Sequence, residues 1–156
     1  MAPSRTLLLL CLFLTTADPS RRREGYSGSV EVKNSEKREK YDRTNFFYEA
    51  KGQVLVIHLP KELDHHNCRN LRYETDLLLS ENYITRMVFD FSRTVFMDSS
   101  GIGILLNRYK QMQRSGGSVA IYGVGVQINR ILNLGGIWNL INGFSSKEAA
   151  IAGTEG

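Results

Sequence analysis

From Phe46 onward the apolar positions switch repeatedly between a period of two and a period near 3.6. "NFFYEA" and "QVLVIHL" are β-rich runs, and Lys51-Gly52 between them supplies a turn, so the pair reads as a hairpin. Pro60 has no N–H for a ladder and ends the second strand. After Leu63 the period lengthens. Cys68, Leu71, Thr75, Leu78 and Leu79 share one helical face, and Asp64 is placed to cap it. "ITRMVFDF" predicts a buried strand, with "TVFM" close behind.

The helical period returns over Ile102, Leu105, Leu106, Tyr109 and Met112, which assigns Asn107, Arg108, Lys110 and Gln111 to the outside. Ser115-Gly116-Gly117 stops that helix. "SVAIYG" is a further strand. "VQINRILNLGG" is a short helix with Ile128, Ile131 and Leu132 inward and Gly135-Gly136 as its stop. "IWNLING" predicts a last strand with Trp138 in the core, and "SSKEAAIA" a helix capped by Ser145 or Ser146. The order β-β-α-β-α-β-α-β-α, with short connections, predicts an α/β fold: a sheet with helices packed on it.

Composition narrows the class. The 156 residues, 42% hydrophobic and 23% charged, suit one globular domain. The formal charge of +4 is unevenly spread. Residues 1–44 hold nine Lys and Arg against six Asp and Glu, whereas residues 45–156 hold eleven against ten. The folded part therefore lacks the clustered basic face that nucleic-acid binding needs. The two cysteines, Cys11 and Cys68, form neither a disulfide framework nor a CxxC zinc motif, and Cys68 reads as a small buried apolar residue. His65 and His66 are adjacent on a helix, point to different sides and do not chelate one ion, so no metal site is expected.

Residues 1–44 read as an extension. An apolar run from Leu7 to Leu14 follows Arg5 in the outline of a signal peptide, but Thr15-Thr16-Ala17 matches a cleavage site poorly and the run is too short to span a bilayer. Residues 18–44 are charge-rich without apolar periodicity, as in a solvated arm. The expectation is a non-native or dispensable N-terminus, with a shorter product starting at Val30 or Val32 as one route to it.

The chemistry concentrates in "FMDSSGIGIL", residues 96–105. A nucleophilic serine would need Gly-x-Ser-x-Gly and a histidine placed after it, but His58, His65 and His66 all precede Ser99 and Ser100. A phosphate cradle would need a third glycine or a following lysine, and neither is present. A helix cap explains one of the three polar residues. The remaining reading is a switch: a serine at a helix start on the exposed rim of an α/β sheet, where added phosphate acts on docking and leaves the helix folded.

At these residues the chain resembles the bacterial anti-anti-sigma factors built on the STAS domain, in particular their sporulation branch, the antagonists of anti-sigma F factor. "ELDHHN" (62–67), "FMDSSGIGILLNRYKQM" (96–112), "GG" (116–117) and "INRILNLGGIWNLI" (128–141) fall in that family's order and spacing, and the resemblance covers about residues 46–150. It implies a STAS fold over 45–152, a mixed four- to five-stranded sheet packed with about four α-helices. It implies a cytoplasmic binding protein, with no enzyme activity and no cofactor. Its dephosphorylated form would bind an anti-sigma factor that is also a serine kinase, with ATP or ADP held by the kinase, and so release the sigma factor. The kinase would phosphorylate Ser99, and a serine phosphatase would restore the active form. Asp64, Met97, Asp98, Ser99, Ser100 and Gly101 would make the docking face. The alternative within the fold is a STAS scaffold or sensor that is never phosphorylated, as in stressosome-like assemblies. Three positions depart from the family pattern: Lys61 for a glycine, Gly125-Val126 for Ser-Pro, and Gly135 for a serine.

Overall fold

The computed structural model describes residues 46–154; the extension, its arm and Cys11 lie outside the described residues. Strands β1 (Phe47–Lys51) and β2 (Val54–His58) form the expected hairpin, closed at Gly52 with φ 59°. The chain continues through β3 (Glu62–Leu63), α1 (His65–Glu81), β4 (Arg86–Asp90), β5 (Phe96–Met97), α2 (Ser99–Arg114) and β6 (Ser118–Tyr122). It ends with α3 (Val126–Leu134), a 3-10 turn (Ile137–Asn139), β7 (Asn142–Phe144) and α4 (Lys147–Ala152).

The five long strands form one mixed sheet in the order β1-β2-β4-β6-β7, antiparallel at β1/β2 and parallel elsewhere. Alternation divides its residues between two faces. Leu55, Ile57, Met87, Phe89, Val119 and Ile121 meet Cys68, Leu71 and Leu78 of α1, Ile104, Leu105 and Met112 of α2, and Ile128 and Leu132 of α3. Each such side chain, fully buried, contributes about 1.5–3 kcal/mol over an exposed one. The other face carries Val56, Val88, Ala120 and Tyr122, covered by Ala150 of α4. The expected sheet with helices on it is what the chain forms.

Four local expectations change. Arg108 is fully buried, not outside. The inner face of α2 runs through Gly101, Ile104, Leu105, Arg108 and Met112, about one position round from the apolar stripe, while Ile102, Leu106 and Tyr109 flank it half-buried. The guanidinium has a reason to enter: Nη2 donates to the Arg72 carbonyl at 2.9 Å and Nη1 to Asp76 Oδ1 at 2.6 Å, with Gln111 Oε1 accepting as well. It ties α2 to α1. Second, the last strand is only Asn142–Phe144. Gly136, at φ 68°, turns the chain so that Ile137 enters the core from a 3-10 turn, and pairing with β6 starts at Ala120↔Asn142. Third, Trp138 is half-buried, its Nε1 donating to Asn129 Oδ1 at 2.9 Å. Fourth, within "TVFM" only Phe96–Met97 is strand. It pairs with β3, Glu62↔Phe96 and Leu63↔Met97, as a separate two-stranded parallel ribbon outside the main sheet.

Candidate functional site

That ribbon builds the site. Because β3 and β5 run parallel with Leu63 opposite Met97, the next residue of each strand is an aspartate, and each aspartate opens a helix. Asp64 Oδ1 accepts the Asn67 N–H at 2.8 Å and caps α1. Asp98 Oδ1 accepts the Ser100 N–H at 2.8 Å and caps α2. The other oxygen of Asp98, Oδ2, accepts the His65 N–H at 3.1 Å, so one carboxylate caps two neighbouring helices. Two helix N-termini, with their positive ends, lie side by side on one rim.

Ser99 occupies the first position of α2 and is exposed; Ser100, Asp98 and Asp64 are half-buried beside it. Met97 and Gly101 lie beneath. A Cβ on Gly101 would stand 2.3 Å from Met97 Cγ and 3.3 Å from Leu63 Cδ2, so the glycine lets α2 settle on the ribbon. All six residues singled out from sequence thus converge, but Met97 and Gly101 are interior and can shape the rim without touching a partner.

Sequence reasoning missed two neighbours. Phe96 is 51% exposed on the outer side of β5, next to exposed Val95. His65 places Nδ1 3.3 Å from Ser100 Oγ. Strand alternation was the available signal for Phe96, since Met97 turns inward. Nothing local announces His65.

Under the rim lies Cys68. Burial pushes its thiol up to about 12, and the charges of Asp98 and Asp64 add to the effect, so it stays protonated and acts as an apolar filler. Ser100 and His65 do not make a nucleophile–base pair with an orienting acid. Among the described residues no carboxylate holds the other ring nitrogen of His65. The arrangement offers an exposed hydroxyl on a rigid, doubly capped rim.

Replacing Asp98 with alanine removes both caps and is expected to lower stability by about 2 kcal/mol. Asparagine keeps one acceptor oxygen and should lose about half as much. Urea denaturation of the three proteins measures the difference, and an unchanged midpoint for Asp98→Ala would show that the caps are idle.

The STAS domain profile matches residues 46–150. The anti-sigma F factor antagonist of Paenibacillus polymyxa is 30% identical over 102 residues, spanning 65% of this chain and 87% of that relative. The structure of the anti-sigma factor antagonist SpoIIAA in its unphosphorylated form superposes with a TM-score of 0.63 at 26% identity, covering 69% of this chain and 93% of that one. The Bacillus cell fate determinant SpoIIAA in its phosphorylated form gives 0.58 at 26% identity, over 69% and 97%. With the profile running from Phe46 into α4, the chain belongs to the STAS domain family.

Proposed function

We propose that the chain is an anti-sigma factor antagonist controlled by phosphorylation of Ser99. The observation that carries this reading is the exposed Ser99 hydroxyl at the start of α2, on a rim made rigid by Asp98. The relatives' names support the antagonist role, and a relative solved in both unphosphorylated and phosphorylated forms supports the switch.

The dephosphorylated chain docks its Asp64–Ser99 rim on an anti-sigma factor and thereby frees the sigma factor. That anti-sigma factor is itself the serine kinase, holding ATP or ADP, and a serine phosphatase reverses the modification. A kinase drawing on ATP works in the cytoplasm, and the resemblance to the sporulation branch makes sporulation the setting of this reading. The chain acts by binding and performs no catalysis of its own.

The test is displacement. Adding the unphosphorylated chain to a preformed complex of sigma factor and anti-sigma factor should release sigma factor in proportion to chain added, seen by size-exclusion chromatography. A chain that leaves the complex intact, yet assembles with itself into larger particles, fits the scaffold reading instead.

A further inference from the structure

From Ser115 to Ser146 the chain carries a single charged residue, Arg130. That stretch includes α3, which turns Ile128 and Leu132 into the core. Residues four apart share one line along a helix, and the line opposite the core is Val126, Arg130 and Leu134. All three are exposed, Val126 at 76% and Leu134 at 90%. The adjoining β5 adds exposed Phe96. We propose that this crest of α3, with Phe96, is the apolar half of the docking face, and that it receives an apolar patch of the anti-sigma factor bearing a carboxylate opposite Arg130.

The crest is continuous with the Ser99 rim. Just before α3, Gly123 packs on Ser92 of the loop that leads to β5, where a Cβ would stand 2.3 Å from Ser92 Oγ. Just after α3, Gly135 packs on Ile102 in the first turn of α2, where a Cβ would stand 2.7 Å from Ile102 Cδ1. Between these two contacts α3 packs along β5. Close approach at both ends therefore holds α3 against residues 92–102, and the middle of that segment is the rim. A partner seated on Ser99 has the crest of α3 as its neighbour.

Size and charge decide which way the footprint extends. A stable interface takes about 800 Å² and roughly 20–30 residues from each partner. The rim alone offers far less, since Met97 and Gly101 are interior and Asp64, Asp98 and Ser100 are half-buried. One flank, made by β3 and the start of α1, exposes the charged or ionisable Lys61, Glu62, His66 and Arg69. The other flank is α3. Interface cores are depleted in charge overall but enriched in aromatic residues and in Arg. Phe96 and Arg130 among aliphatic side chains have that composition; the charged flank does not. An arginine enclosed by apolar surface on closure needs one carboxylate to meet it. The crest thus supplies attraction, and the state of Ser99 decides whether the two surfaces close.

The partner is that of the docking reading, on which this assignment rests. The experiment is isothermal titration of the full-length unphosphorylated chain with the anti-sigma factor kinase and Mg-ADP, for wild type and four variants. Leu134→Gln should lose affinity about tenfold, and Val126→Asp and Arg130→Glu about thirtyfold each, because they set a carboxylate against apolar surface or against the partner's own. Tyr83→Gln removes an exposed aromatic side chain at the opposite end of the sheet and should bind like wild type. Urea midpoints should stay level: the positions are exposed, a carboxylate suits the N-terminus of α3, and glutamine is a good helix former. Wild-type affinity in both Val126→Asp and Leu134→Gln overturns the crest and leaves the docking reading standing. A wild-type chain that binds no anti-sigma factor overturns the docking reading and the crest's partner with it. Self-association of wild type in sedimentation, lost in Val126→Asp and Leu134→Gln, would give the crest to a second copy of the chain and overturn the assignment.

Discussion

Phosphorylation of Ser99 is expected to weaken binding to the anti-sigma factor about a thousandfold, a loss of about 4 kcal/mol, while Ser99→Ala binds as tightly as the unmodified chain. The phosphate brings about −1.5 to −2 charges to a rim that already holds Asp64 and Asp98 and is bordered by exposed Phe96 and Val95. A partner closing over that mixture must desolvate the phosphate next to carboxylates and apolar surface, which is where an unpaired charge costs most. The helix itself should survive, because added negative charge at the N-terminus of α2 is favoured by the dipole. Thermal stability therefore stays level while affinity collapses. Ser99→Asp, with one carboxylate in place of a phosphate, falls between. Isothermal titration of the four forms decides it; equal affinity of the phosphorylated and unmodified chains would remove charge as the mechanism.

Arg108→Ala should be the most destabilising single change in the interface between α1 and α2, costing about 3 kcal/mol. The substitution empties a fully buried volume and strips donors from the Arg72 carbonyl and from Asp76. Asp76 is half in solvent and the Arg72 carbonyl keeps Thr75 Oγ1 as a donor, so most of the loss comes from packing. Arg108→Met refills the space without the charge and should recover most of the stability. A domain of this size has about 5–15 kcal/mol in total, so chemical denaturation resolves the effect easily. A loss under about 1 kcal/mol for alanine would mean that the guanidinium is dispensable to the packing.

These two residues also mark what can be read from sequence and what cannot. Ser99 stood out because three polar residues and two glycines at a helix start exceed what capping needs, and that local excess survives in the folded rim. The sheet was legible for the same kind of reason: alternation in "QVLVIHL" and "SVAIYG" is a property of each strand alone. Arg108 was hidden because a charged residue is assigned outward by default, and only the position of the Arg72 carbonyl and Asp76 on a different helix makes its burial affordable. The double cap by Asp98 depends on Leu63 lying opposite Met97, a pairing between two-residue strands far apart in the chain. His58 and Asp90 meet only through the parallel register of β2 and β4. Local pattern reports faces and ends of elements. Cross-element partners need the register.

The most direct test of the account is the intact mass of the chain before and after incubation with an anti-sigma factor kinase and Mg-ATP, for wild type and Ser99→Ala. The expected result is the gain of one phosphate on wild type and none on Ser99→Ala. No gain on wild type, from a kinase shown active on another substrate, or an equal gain on both, would contradict Ser99 as the switch.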